Sequence, residues 1–243
     1  MRGTIAIDKG LAVDKVTFEP PDIGCVLYLP LYLLDAADGQ SFMSKDKYGH
    51  LCTVTGAIWT PQGRTADGND KIVVPTTASI AGLSPLSILV WAKSSNTEAA
   101  WRGLVNKYAT SNREWLFDIW GQTAAPRFRF IVYDESANAN ILTEYNGSDI
   151  NDGSWHLLAG TWDGGTVGSG IDLYRDAILL TTTDGSTGTL VAIEALAADV
   201  QIFTQLNDAS YYIGDVGGVW ICNKKLTPLE IQNIYLATKW RYQ

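Results

Sequence analysis

The segment 151-NDGSWHLLAGTWDGG-165 determines how this chain is expected to fold. A turn signal, "DG", precedes Trp155, and from there to Trp162 the side chains alternate between two faces that are both largely apolar. A period of two residues is that of a β-strand, and apolar residues on both faces are typical of a sandwich interior. A second turn signal, "DGG", leads into another strand, 170-GIDLYRDAILL-180. The segment therefore predicts a buried hairpin, in which Trp155 and His156 are open to a structural, a sugar-binding or a catalytic role.

The rest of the chain repeats this pattern of short apolar runs separated by clusters of Gly, Asp, Asn and Ser. Such spacing predicts an all-β sandwich or barrel. The alternation is clear where Phe128 and Phe130 point one way and Arg127 and Arg129 point the other. The predicted strands are 25–33, 50–55, 71–74, 87–93, 103–108, 114–120, 127–134, 141–145, 155–162, 171–175, 178–182 and 211–222.

One helix is predicted near the C-terminus. Thr227 can cap it, Pro228 suits the first helical position, and Glu230 completes a capping box. Ile231 and Ile234 then fall on one helical face. The apolar region 190–200 is rich in helix formers, and its periodicity leaves helix and strand both open.

Residues 1–22 are predicted to form an extended arm before a single domain over 23–243, because the segment ends in the stiff sequence "EPPD". The N-terminus lacks the apolar core of a secretory signal, so we expect synthesis in the cytoplasm and then action in the cell, release, or a place in a virion. An alternative is that a signal was removed.

Composition excludes two classes of partner. The net charge is −8, and the 18 Lys and Arg residues are scattered, which argues against nucleic acid. The longest uncharged apolar stretch, 24–34, contains Pro30 and is too short to insert across a membrane.

Three cysteines, Cys25, Cys52 and Cys222, cannot all pair within one chain. Cys52 and Cys222 lie in apolar runs, which favours buried free thiols. A single Cys25–Cys52 or Cys52–Cys222 bridge is the alternative.

Several segments together resemble the laminin-G-like domains of the concanavalin-A-like lectin/glucanase class. They are "DGSWHLLAGTWDGG" with "IDLYRDAILL", "SILVWAKSS" (87–95), "GLVNKY" (103–108), "TADGNDKIVVP" (65–75) and "KLTPLEIQNIY" (225–235). The resemblance extends over residues 25–240 and implies a two-sheet antiparallel jelly roll. Because the Trp-His motif recurs as architecture in that family, the resemblance also implies that Trp155 lies in the core and that His156 is a satisfied strand residue. The chain departs from the family at the hairpin Asp176-Ala177, where Gly is usual at the second position. It also departs in "YIGDVGGVWICN", where two extra residues suggest a bulge.

Relatives that cleave polysaccharides imply carboxylates spaced to share one strand face, as in E-x-D-x-x-E, and this chain has no such pattern. It has two histidines, His50 and His156, and no G-x-S-x-G elbow. We therefore expect no enzymatic activity.

The family resemblance implies a calcium (Ca2+) site formed by Asp70 and Asp215, with Asp67 as a further ligand. Carboxylate oxygens are the ligands that calcium prefers. The alternative is that these aspartates only shape solvated turns.

Five residues are candidates for ligand binding because strand packing explains them least: Trp101, Arg102, Trp120, Tyr145 and Tyr211. Packing at a sandwich edge is the alternative for each. The predicted function is a non-catalytic module that binds a glycan or a protein surface. The alternative is a structural or assembly protein, such as a virion, fibre or appendage subunit, that forms homo-oligomers through residues 1–22.

Overall fold

The computed structural model describes residues 24–34, 37–121, 126–205 and 210–243. The predicted arm over 1–22 lies outside these ranges. The strands are β1 (Cys25–Pro30), β2 (Phe42–Met43), β3 (Leu51–Thr55), β4 (Ile58–Thr60), β5 (Gly63–Asp67), β6 (Lys71–Val74), β7 (Leu86–Lys93), β8 (Trp101–Ala109), β9 (Asn112–Trp120), β10 (Arg127–Asp134), β11 (Ala139–Asn146), β12 (His156–Trp162), β13 (Ile171–Arg175), β14 (Ile178–Leu179), β15 (Thr183–Asp184), β16 (Val200–Ile202) and β17 (Ile213–Cys222). One α-helix, α1 (Pro228–Thr238), follows the last of these strands.

Within the described ranges these strands form two antiparallel sheets. Sheet I has eight strands in the order β14-β13-β12-β7-β17-β5-β4, with β1 also paired to β17. Sheet II has nine strands in the order β15-β11-β10-β9-β8-β16-β6-β3-β2. The predicted all-β, two-sheet antiparallel jelly-roll sandwich with a short C-terminal helix is confirmed.

The central strands of sheet I, β7 and β12, are buried on both faces, which explains the apolar character of both faces of the central segment. In β7, Ile88 and Val90 join the main core between the sheets. Leu89 and Trp91 point to the other side and join a second cluster with Ile231 of α1. A strand covered on both faces is expected to be a nearly continuous apolar run.

Helix α1 begins as predicted. The Thr227 side chain accepts a hydrogen bond from the Glu230 backbone, and the Glu230 side chain accepts one from the Thr227 backbone, so the capping box is complete. Ile231 and Ile234 are fully buried against the outer face of sheet I. The helix therefore closes the second cluster. None of the helices in the described ranges has the length and apolar character needed to cross a bilayer.

Trp155 and His156 of the opening segment both make contacts within the fold. Trp155 packs 4.9 Å from the ring of Tyr242. His156 Nδ1 lies 2.7 Å from a carboxylate oxygen of Asp176, and its Nε2 lies 3.2 Å from Asp152. The imidazole thus ties the start of β12 to two turns.

The two departures from the family pattern have local explanations. Asp176 and Ala177 both have positive φ, 52° and 65°, which is characteristic of a type I′ hairpin turn. Glycine is normally favoured in such a turn. In β17 the register against β7 shifts between Val216 and Val219, which confirms the expected bulge. Because both valines face the main core, the bulge reverses the alternation, and Asp215 does not share the face of Val219 as unbroken alternation would require.

The sequence left the region 190–200 open between helix and strand, and the structure has neither over most of it. Residues 190–198 form neither helix nor strand, and only Val200–Ile202 at the end of the region pairs into sheet II. Hydrogen bonds to carboxylates hold the segment: the backbone of Val191 donates to Asp134, and that of Leu196 donates to Glu114. Composition alone does not show such long-range partners.

Candidate functional site

Two tryptophans form an aromatic corner at one end of sheet II. Trp101 is the first residue of β8, Trp120 is the last residue of β9, and the two are direct cross-strand partners. Their ring centroids lie 5.3 Å apart with the rings inclined by 62°, an edge-to-face arrangement. Both side chains are half-buried. The aromatic corner, Trp101 with Trp120, therefore presents partly exposed ring surface on a rigid sheet.

An arginine–aspartate pair lies beside the aromatic corner on the outer face of sheet II. The Arg129 guanidinium is centred 3.4 Å from the Trp101 ring centroid. Its Nε and Nη2 donate to the two carboxylate oxygens of Asp118, at 2.7 and 2.9 Å. A bidentate pair stacked on an indole holds the guanidinium in one orientation.

Burial dominates the electrostatics of this pair. Asp118 is fully buried, and burial raises the pKa of its carboxyl group, although the charge of Arg129 opposes the shift. Burial is the largest single influence on the pKa of Arg129 and lowers it, but the charge of Asp118 and its hydrogen bonds, together with the nearby Tyr133 and Glu144, make the net shift upward. Each charge therefore depends on the other for its stability in the folded protein.

A second, looser ion pair borders the same surface. Arg127 lies opposite Trp120 in the sheet, and its Nη1 is 3.6 Å from a carboxylate oxygen of Glu144. The Arg127 side chain is 43% exposed, so solvent weakens this pair. The surface therefore carries two arginines, each balanced by its own carboxylate.

Arg102 and Tyr211 lie at the rim of the aromatic corner. Arg102 follows Trp101 in β8, donates from Nη1 to the Tyr211 carbonyl oxygen at 3.1 Å, and forms an ion pair with Glu98. The backbone of Tyr211 also bridges to Gly103. These contacts brace the start of β8, where Trp101 is placed.

Tyr145 is separated from the other candidates. It is the cross-strand partner of Phe128, whose side chain lies in the main core, and it packs against that core. Its hydroxyl donates to Asp149 at 2.9 Å. The structure thus groups Trp101, Arg102, Trp120 and Tyr211 at one end of sheet II, while Tyr145 belongs to the interior side of the same sheet.

Sequence reasoning missed four residues of this surface: Asp118, Arg127, Arg129 and Glu144. The alternation in β10 already placed both arginines on the face opposite the phenylalanines. It did not show that this face meets Trp101, because that contact depends on the register between β8, β9 and β10.

The three aspartates proposed as calcium ligands do not form a metal-holding group as placed. Asp70 accepts a hydrogen bond from the Asp67 backbone at 3.0 Å. Asp215 accepts one from the Thr65 hydroxyl at 2.5 Å, and the Lys93 ammonium lies 3.5 Å from its other oxygen. Lys93 thus supplies at Asp215 the positive charge that a cation would supply. Within the described ranges, no group of three or more His, Cys, Asp or Glu side chains is arranged to hold a metal.

His50, the other histidine of the chain, does not have the contacts of a catalytic triad. His50 lines a cavity of about 390 Å³ together with Ser79. Its Nε2 lies 3.1 Å from the Val26 carbonyl oxygen, 3.3 Å from the Ser79 hydroxyl and 3.9 Å from Asp46. A carbonyl oxygen can only accept a hydrogen bond, so the contact with Val26 requires a proton on Nε2, and this nitrogen then cannot accept the proton of Ser79. In a catalytic triad the aspartate binds the other ring nitrogen, whereas Asp46 is nearest to Nε2 as well.

Comparisons with known proteins agree with this architecture. The model of the Laminin_G_3 family, described as the concanavalin A-like lectin/glucanases superfamily, matches residues 66–232. The match covers more than half of the chain, so the chain belongs to this superfamily. A search of curated proteins gives no match.

Among solved structures, the chain resembles receptor-binding domains of botulinum neurotoxins. The serotype D ligand-binding domain in complex with N-acetylneuraminic acid superposes with a TM-score of 0.64 at 14% identity, over 89% of this chain and 52% of that one. The type G receptor-binding domain gives 0.62 at 14% identity, over 88% and 51%. The chain thus spans about half the length of these structures, and at this identity the likeness shows the fold.

Proposed function

We propose that this domain is a non-catalytic module that binds glycans on the outer face of sheet II. The observation that carries the proposal is the aromatic corner, in which two half-buried tryptophans are held edge to face beside a fixed guanidinium. An indole ring stacks against the C–H face of a pyranose, and fixed donors and acceptors bind its hydroxyl groups. The similarity to a domain solved in complex with a saccharide, N-acetylneuraminic acid, supports glycans in general as the ligands.

The charge pattern favours a neutral glycan. Arg129 is paired with Asp118, and Arg127 with Glu144, so neither arginine offers an uncompensated charge to an acidic sugar. The net charge of −8 also repels polyanions. We therefore expect hydroxyl-rich neutral saccharides to bind more tightly than sialylated ones.

The pairing of Asp118 argues for binding rather than catalysis. A glycosidase acid must reach the glycosidic oxygen, and its partner carboxylate must reach the anomeric carbon or a water. The Asp118 carboxylate is fully buried, with both oxygens engaged by Arg129. It is therefore a positioning group for the arginine.

A glycan array on the full chain, with calcium and with EDTA, tests the proposal. We expect neutral glycans to bind, and Trp120→Ala to weaken that binding by at least tenfold, about 1.4 kcal/mol. The matched control is Trp240→Ala, because Trp240 is 68% exposed and follows α1, on the sheet I side of the molecule. This variant should bind as the wild type does.

Three outcomes would change the interpretation. Equal losses in Trp120→Ala and Trp240→Ala would refute the assigned face. Loss of binding in EDTA would favour the calcium hypothesis. A blank array with folded protein would favour the assembly alternative, which then predicts that a chain starting at residue 23 loses an oligomer formed by the full chain.

A further inference from the structure

Two cysteines from opposite ends of the chain face each other in sheet I. Cys25 is the first residue of β1 and Cys222 is the last residue of β17, and they are direct cross-strand partners. The next hydrogen bond outward runs from the Asn223 backbone to the Gly24 carbonyl at 3.0 Å. The register between β1 and β17 shifts between Cys25 and Leu27, beside this pair. The Asn223 hydrogen bond marks the cysteines as a non-hydrogen-bonded pair, the kind in which side chains approach most closely and the Cα atoms of a regular ladder lie about 4.5 Å apart. That separation is within the range of disulfides.

The two thiols also share one environment. Both are free, buried thiols in this structure, and both belong to the cluster between sheet I and α1. The Cys25 Sγ additionally donates to the Leu27 carbonyl oxygen at 3.0 Å. Cys52 lies in sheet II and joins the main core on the other side of sheet I. The pairings of Cys52 considered from the sequence are therefore blocked by an intervening sheet.

We propose that Cys25 and Cys222 form a cross-strand disulfide when the chain folds in an oxidising environment. A small-molecule disulfide such as oxidised glutathione serves as the oxidant. One cysteine thiolate attacks it, forming a mixed disulfide and releasing one glutathione thiolate. The second cysteine thiolate then attacks the protein sulfur of the mixed disulfide and releases the other. The two electrons reduce glutathione, and its two thiolates take up the two protons lost by the cysteines.

Burial determines when this exchange takes place. Cys25 is 2% exposed and Cys222 is fully buried. Burial is the main cause of the raised pKa of the Cys25 thiol, so little thiolate is available in the folded protein. The exchange therefore requires the thiols to be exposed, as they are in a refolding chain, and burial of the pair then protects the bond from reduction.

The experiment is oxidative refolding of the full chain in a buffer of reduced and oxidised glutathione, followed by peptide mapping without reduction. We expect one cross-linked peptide joining Cys25 to Cys222, a mass lower by two hydrogen atoms, and Cys52 still free. Because the closed loop spans most of the chain, the midpoint of thermal unfolding should rise by about 5–10 °C over the reduced protein. Expression in a bacterial periplasm should give the same map without refolding.

The control variant Cys52→Ala should keep the cross-link, and Cys222→Ala should lose it. Three free thiols in folded protein after oxidative refolding would overturn the proposal, as would a link that involves Cys52. The peptide map is read on the wild-type chain, so poor folding of a variant does not affect this decision.

Discussion

Replacing Arg129 by alanine tests how the candidate site is held together. The substitution removes both hydrogen bonds to Asp118 and the guanidinium stacked 3.4 Å from the Trp101 ring centroid. Asp118 is fully buried and would keep a carboxylate with no charged partner among its described contacts. Breaking a buried ion pair by removing one partner costs about 3–5 kcal/mol. We therefore expect Arg129→Ala to lower the free energy of unfolding by about 4 kcal/mol at neutral pH.

The loss of unfolding free energy in Arg129→Ala should increase as the pH rises. Burial raises the pKa of Asp118, and without Arg129 that pKa rises further above the unfolded value. The folded variant then binds a proton that the unfolded chain releases, so its stability is greatest at low pH and falls as the pH rises through the folded pKa. The slope approaches about 1.4 kcal/mol per pH unit for one proton.

Urea unfolding at pH 5 and at pH 7.5 measures both effects. The matched control is Arg127→Ala on the same face, because Arg127 is 43% exposed and its contact with Glu144 is 3.6 Å. An exposed pair of this kind contributes less than about 1 kcal/mol, at either pH. Equal losses in the two variants, or a loss in Arg129→Ala that does not change with pH, would refute the role assigned to the buried pair.

Two further predictions concern the turn at Asp176-Ala177, which joins β13 to β14. The hydrogen bond to Asp176 is the main cause of the raised pKa of His156, so its stabilisation is complete below the unfolded pKa and is lost as the pH rises through the folded pKa. Melting temperatures from pH 6 to pH 9 should therefore fall for the wild type and vary less for His156→Gln, and parallel profiles would contradict this reasoning. Ala177 has a φ of 65°, and Ala177→Gly should relieve that strain and raise the melting temperature by about 2 °C, whereas a decrease would show that the methyl contact matters more than the strain.

Local patterns in the sequence determined most of the fold. Alternation with a period of two residues identified the long strands, and apolar residues on both faces of 155–162 indicated a strand covered twice, as β12 is. The capping box of α1 could be predicted from the sequence because its hydrogen bonds join residues that are only three positions apart. The burial of Trp155 and the hydrogen bonding of His156 followed from the family resemblance of the segment that contains them.

The tertiary structure decided which of these residues meet. Trp101 faces Trp120, and Arg129 faces Asp118, only because β8, β9 and β10 pair in one particular register. A shift by one residue would turn each side chain to the other face, and the register depends on the turns that join the strands and on the packing of the sheet, which the alternation within one strand does not show. The closeness of Cys25 and Cys222 depends on the same cause over a longer range, because β1 and β17 lie near opposite ends of the chain and are neighbours only in the folded sheet.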